Sequence, residues 1–100
     1  ETFVRIKPNN YMPTQITLHP NYPNPFNPTT QISFSIDNFS KVLLEIYDIK
    51  GMYICTLIDD EYNAGIHETY WDASKYSSGV YFVRLSDGNS HLTQKLMLIK

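Results

Sequence analysis

Apolar and polar positions along this chain change character near position 30. Up to Pro28 no period is sustained, because prolines at 8, 13, 20, 23, 25 and 28 interrupt it. Beyond Pro28, apolar residues recur at every second position, the spacing of half-buried strands. Residues 31–36 set Ile32, Phe34 and Ile36 on one face and Gln31, Ser33 and Ser35 on the other. Residues 42–49 set Val42, Leu44 and Ile46 against Leu43, Glu45 and Tyr47. Asp48-Ile49-Lys50-Gly51 reads as a turn closing on a left-handed glycine, with residues 52–58 returning as the partner strand. Asp59-Asp60-Glu61 and Asn63-Ala64-Gly65 then read as a polar connection. Residues 66–71 alternate again, Ile66, Glu68 and Tyr70 against His67, Thr69 and Trp71. Residues 72–79 form a Ser-rich loop. Strands at 80–85 and 91–99 flank a tight turn at Ser86-Asp87-Gly88-Asn89, and 15–18 can supply one more strand ahead of the proline block. The layout predicts an all-β protein: an Ig-like antiparallel β-sandwich of about seven short strands.

Composition narrows the chemistry more than the fold. At 100 residues the chain holds one domain. No stretch approaches the ~20 apolar residues of a membrane span, so no membrane insertion is expected. Ten acidic against eight basic residues leave no basic stripe for nucleic acid. A single cysteine, Cys55, excludes an internal disulfide and any multi-cysteine metal site, and its place among apolar residues suggests a buried, inert thiol. His19, His67 and His91 have no metal-type spacing. Asp59, Asp60 and Glu61 lack the glycine and ligand spacing of a calcium loop and read as a solvated turn. There is no nucleophile elbow, P-loop, dinucleotide fingerprint or zincin helix. The expectation is therefore no catalytic residue, no metal and no cofactor.

The distribution of proline and glycine is the sharper signal. All six prolines precede position 29, and all four glycines, at 51, 65, 79 and 88, follow it. Pro23, Pro25 and Pro28 fix φ and exclude a helix through 22–28. This block has two physical readings. It is a stiff ridge, preorganised for a receptor, or an edge connection that cannot pair with other sheets. Asn24 and Asn27 suit local side-chain turns between the prolines. Tyr22 and Phe26 are expected to tuck into the sandwich end and Trp71 to lie in the core. Gly51 and Gly79 are expected at turn positions with positive φ.

Asn21-Tyr22-Pro23-Asn24-Pro25-Phe26-Asn27-Pro28-Thr29-Thr30, with Ile32 and Phe34 after it, resembles the opening of the type A C-terminal sorting domain of the bacterial type IX secretion system. The resemblance continues through Ile46-Tyr47-Asp48 with Gly51, Ala64-Gly65, Tyr70-Trp71-Asp72 and Ser78-Gly79-Val80-Tyr81-Phe82. It ends in Lys95-Leu96-Met97-Leu98-Ile99-Lys100. It covers roughly residues 16–100 in the family's order.

The resemblance implies a non-catalytic sorting signal at the end of a longer secreted protein. Cargo already in the periplasm of a Gram-negative bacterium would pass an outer-membrane translocon, and a sortase-type peptidase would then remove the label. The cargo would be released or held at the cell surface. Translocon, peptidase and upstream cargo are the implied partners. Implied recognition residues are Asn21, Tyr22, Pro23, Asn24, Pro25, Phe26, Asn27, Pro28, Gly79, Tyr81, Leu98, Ile99 and Lys100. Residues 1–15 would be a linker or the end of the cargo domain, and 16–100 the sorting domain. Cleavage is expected within 9–18, where polar, Pro-bounded sequence favours proteolysis. A terminal strand that frays could also admit a receptor by strand addition. Two other readings stand beside this one. The first is a glycan-binding accessory module using Tyr11, Tyr53, Tyr62, Tyr70, Tyr76 or Trp71 as stacking platforms. The second is a structural Ig-like module of the hook-cap kind.

Overall fold

The computed structural model describes residues 15–100. Seven strands follow one another: β1 (Ile16–Leu18), β2 (Thr29–Ile36), β3 (Ser40–Asp48), β4 (Tyr53–Tyr62), β5 (Gly65–Asp72), β6 (Gly79–Ser86) and β7 (His91–Leu98). They form two antiparallel sheets, ordered β1-β2-β5 and β4-β3-β6-β7. No helix occurs among the described residues. The architecture is the Ig-like β-sandwich that the alternation predicts.

The core follows from the period-2 patterning. Ile32, Phe34 and Ile36 of β2 face Val42, Leu44 and Ile46 of β3, Val83 and Leu85 of β6, and Leu96 and Leu98 of β7, all buried. Each such side chain contributes roughly 1.5–3 kcal/mol by leaving water. At one end of the core, Trp71 packs against Phe26, Tyr76 and Tyr81 with ring centroids 5.7, 5.8 and 5.3 Å away.

Four expectations need correction. Asp59, Asp60 and Glu61 are not a connection. They continue β4, paired with Leu43, Val42 and Lys41 of β3, their side chains exposed. An edge strand can be polar on both faces, because its ladder needs only backbone groups. Tyr22 does not tuck inward. It is bridged to Gln31, on the outer face of the three-stranded sheet, and is 76% exposed; Phe26 alone enters the core. Asn24 does not close a local turn, because its side-chain oxygen accepts the Met97 N–H at 3.1 Å. Cys55 is half-buried rather than buried.

The β3–β4 turn is as expected. Gly51 has φ 84° and donates its N–H to the Asp48 carbonyl at 2.9 Å. The Asp48 carboxylate takes the N–H groups of Lys50 and Met52. A Cβ at position 51 would be strained in this left-handed geometry.

The strands run between two poles. The proximal pole holds Gln15, where the described chain begins, with the turns at 37–39, 63–64 and 87–90. Asp37 ties Gln15 down by accepting its N–H at 2.8 Å. The distal pole holds the proline block, the 49–52 turn, the loop 73–78 and residues 99–100. The eight residues of β2 separate the poles by about 24 Å at ~3.4 Å per residue. The segment 1–14, which carries Tyr11, most of the expected linker and most of the cleavage window, lies outside the described residues.

Candidate functional site

The distal pole joins the two ends of the sorting-like sequence. Phe26 forms a parallel bridge with Leu98: its N–H donates to the Met97 carbonyl at 2.9 Å, and its carbonyl accepts the Ile99 N–H at 3.0 Å. Asn24 takes the Met97 N–H from a position 73 residues away in sequence. The proline block is therefore a short added strand on the outer edge of β7. Proline explains why the pairing stops there: Pro28, the next position whose backbone would face β7, has no N–H to extend the ladder. The prolyl bonds Tyr22–Pro23, Asn24–Pro25 and Asn27–Pro28 are cis.

Asn21 anchors this block from beneath. It is buried, and its amide nitrogen donates to the Thr30 hydroxyl at 3.0 Å and the Pro23 carbonyl at 3.3 Å. Its amide oxygen accepts from the Gln94 side chain on β7 at 3.0 Å. Thr30, also buried, donates its hydroxyl to the same Pro23 carbonyl at 2.8 Å. One asparagine thus links block, β2 and β7.

The other expected site residues divide by burial. Pro23, Asn24, Pro25, Asn27, Ile99 and Lys100 are exposed with Tyr22, and Pro28 is half-buried. Asn21, Phe26, Tyr81 and Leu98 are buried. Tyr81 donates its hydroxyl to the Ser77 carbonyl at 2.6 Å and so braces the loop 73–78. Gly79 starts β6 with φ 154°, opposite Leu98. Lys100 closes the pole: its N–H donates to Ser78 Oγ at 2.9 Å and its ammonium to the Ser74 carbonyl at 2.5 Å. Within the same loop, Asp72 accepts the hydroxyl and N–H of Ser74, which hold its carboxyl below the usual range.

Sequence reasoning missed the apolar tip of the β3–β4 turn. Ile49, Met52 and Tyr53 are exposed there, at 66, 63 and 57%. The signal was present as three large apolar residues around a glycine turn, where polar residues are the norm. With Tyr22 and Ile99 they give the distal pole an exposed apolar character, the usual mark of an interaction surface.

Chemistry is sparse elsewhere. No group of three or more His, Cys, Asp or Glu side chains among the described residues could hold a metal ion. His19 pairs with Ser35 Oγ at 2.7 Å and His67 with the Asn63 carbonyl at 2.7 Å. Among the described residues, the rings proposed for glycan stacking do not share a face. Tyr53 and Tyr70 are exposed on opposite sheets, Tyr62 and Tyr76 pack against the core, and Trp71 is buried.

The fold thus defines a small Ig-like sandwich whose signature sequence is assembled at one end. The family described as secretion system C-terminal sorting domain matches residues 21–100, and the chain belongs to that family, the sorting domains of type IX secretion. No curated protein matches the sequence significantly. Among solved structures, the crystal structure of dimeric latent PorU from Porphyromonas gingivalis superposes with a TM-score of 0.70 at 17% identity. The match covers 90% of this chain and 10% of that one, so the chain spans about a tenth of PorU and the likeness is one of fold.

Proposed function

We propose that this domain is a non-catalytic address label read at its distal pole. Membership in the family already implies export across the outer membrane to the surface or medium. The further steps belong to this reading: transit through the periplasm, recognition by the type IX translocon, and removal by a sortase-type peptidase. The observation that carries it is the bonding of residues 21–28 to the end of β7, on the pole opposite Gln15. A receptor that reads this pole meets both halves of the signature together and stays about 24 Å from the point where cargo joins. Preorganisation by proline and by the Asn21 network lowers the ordering cost of binding.

The sorting domain runs from residue 16 to residue 100 in this reading. Ile16, Thr17 and Leu18 are paired with β2, and a paired strand resists a peptidase, which favours cleavage ahead of them. Cleavage in the earlier part of the 9–18 window leaves the sandwich whole.

The test is a fusion. Residues 16–100 are joined to a fluorescent protein bearing a signal peptide and expressed in a host with this secretion system. Surface or medium fluorescence is expected, together with a shortened cargo whose C-terminus, read by mass spectrometry, falls within 9–18 when the native residues 1–15 are included. Fluorescence held in the periplasm rejects the reading.

A further inference from the structure

Four strands lie at sheet edges, and three are protected. β1 has three residues. β7 carries the proline block on its outer edge, at Met97 and Ile99. β4 has register shifts at two places and three consecutive acidic residues. Short length, coverage, bulges and charge are the usual defences against a foreign strand. β5 is neither short nor bulged, no strand of the described residues covers its outer edge, and its charged residues are only the acidic Glu68 and Asp72. It pairs with β2 over eight consecutive residues in unbroken register, from Gly65 to Asp72, and contains no proline, lysine or arginine.

The hydrogen-bond parity of β5 identifies its open groups. Ala73 donates its N–H to the Pro28 carbonyl, towards β2. By the alternation of an antiparallel ladder, Trp71, Thr69, His67 and Gly65 also point their backbone groups at β2. Ile66, Glu68 and Tyr70 then turn theirs to the outer edge, and no strand of the described residues pairs there. The same three side chains line the outer face, opposite Ser35, Ser33 and Gln31, and Ile66 and Tyr70 are 75 and 62% exposed.

Charge says what kind of strand fits. Residues 53–72 contain Asp59, Asp60, Glu61, Glu68 and Asp72 and no lysine or arginine. β4 approaches β5 across the sandwich, with Tyr62 and His67 in ring contact at 4.7 Å. Of these carboxylates, Asp59 is paired with Lys41 and Asp72 is engaged by Ser74.

We propose that the free edge of β5 is a strand-addition site for an extended cationic segment of a partner protein. That segment presents apolar, basic and apolar side chains at alternate positions. Main-chain bonds to Ile66, Glu68 and Tyr70 hold it, the two apolar side chains cover Ile66 and Tyr70, and the basic one meets Glu68. This is the β-augmentation mode, with side-chain pockets setting specificity. It lies on a sheet edge apart from the distal ridge and stands whether or not that ridge is the translocon's target.

The test uses the 100-residue chain and an eight-residue probe peptide in which threonine alternates with valine, lysine, valine and lysine. Backbone amide exchange is followed by NMR. Addition of peptide should slow the amides of Ile66, Glu68 and Tyr70 and leave those of His67 and Thr69, already bonded to β2, unchanged. Glu68→Lys should weaken the lysine peptide by about two- to fivefold and favour the peptide with glutamate in its place, the scale of a cross-strand charge pair. Glu68→Pro removes the outward N–H without touching the β2 ladder and should abolish the effect. No slowing at these three amides overturns the proposal. So does slowing that rises with protein concentration alone, which would make a second copy of the chain the occupant.

Discussion

Asn21 and Thr30 are buried polar side chains whose bonds converge on one carbonyl, that of Pro23. Asn21→Ala should cost about 1–3 kcal/mol, since the buried Thr30 hydroxyl loses its donor and Gln94 and the Pro23 carbonyl each lose a part-buried bond. Urea unfolding measures this, and an unchanged midpoint would mean that water replaces the side chain. Asp72 gives a pH signature. Its carboxyl is held down by Ser74, so the folded value lies below the ordinary ~3.9. The contribution is present above the ordinary value and fades as pH falls through the folded one. In an NMR titration Ser74→Ala, which keeps the N–H bond, should move the Asp72 midpoint upward; an unmoved midpoint would assign the shift to the Ser74 N–H, with Lys100 and Lys75, rather than to its hydroxyl. Burial pushes the Cys55 thiol up, against a smaller opposing pull from Trp71. Its alkylation at pH 8 should therefore be slower in the folded chain than in urea. Much of this scale was legible in sequence: Trp71 and Phe26 are buried as aromatic content suggests. Tyr22 was not, because its face is set by pairing with Gln31, and no local pattern records that partner.

The strands of the core were readable because period 2 survives wherever one face is buried and the other wet, as in β2 and β3. The limit appears where a strand has no buried face to record. The last part of β4, Asp59 to Glu61, is exposed throughout and owes its conformation to the β3 ladder. The proline block is the opposite case, a segment whose composition forbids a sheet interior yet which supplies a one-residue bridge to β7. Its stability is therefore tied to the end of β7. Deleting residues 97–100 should release the block as well as the strand end, and the Phe26 amide, bonded to Met97, should lose protection from exchange. Phe26→Ala should have the converse effect, costing about 3–5 kcal/mol from the core and loosening Ile99. If the Phe26 amide stayed protected in the truncated chain, the block would hold itself without β7. This coupling also bears on the expectation that the terminal strand frays for a receptor. At Met97 and Ile99 the edge is already occupied, so strand addition there requires displacing Phe26.

For the molecule as a whole, the arrangement of poles separates Gln15, where the described chain begins, from the surface that bears the signature. Tyr22, Ile49, Met52, Tyr53 and Ile99 are exposed at or beside the distal pole, and Phe39 is exposed on the proximal turn. Tyr53 bonds Thr56 and packs on Tyr47, whereas the side chains of Tyr22, Ile99 and Phe39 stand mostly in solvent, so substitution of these three should leave the melting temperature nearly unchanged. If the distal pole is the surface read during export, Tyr22→Ser with Ile99→Ser should leave a fluorescent cargo in the periplasm, whereas Phe39→Ser should not. Phe39→Ser removes one exposed ring, as Tyr22→Ser alone does, which makes Tyr22→Ser and Phe39→Ser the matched pair and the double variant the stronger test. Equal export of both would place recognition away from the ridge. Equal failure of both would point to a generic need for apolar surface rather than to a site. On the proposed reading, exchange of a cargo domain fused ahead of residue 16 should change neither result, because a strand's length of sandwich, about 24 Å, stands between that junction and the ridge. A dependence on cargo identity would show instead that the receptor contacts both at once, and that the proximal turns belong to the recognised surface.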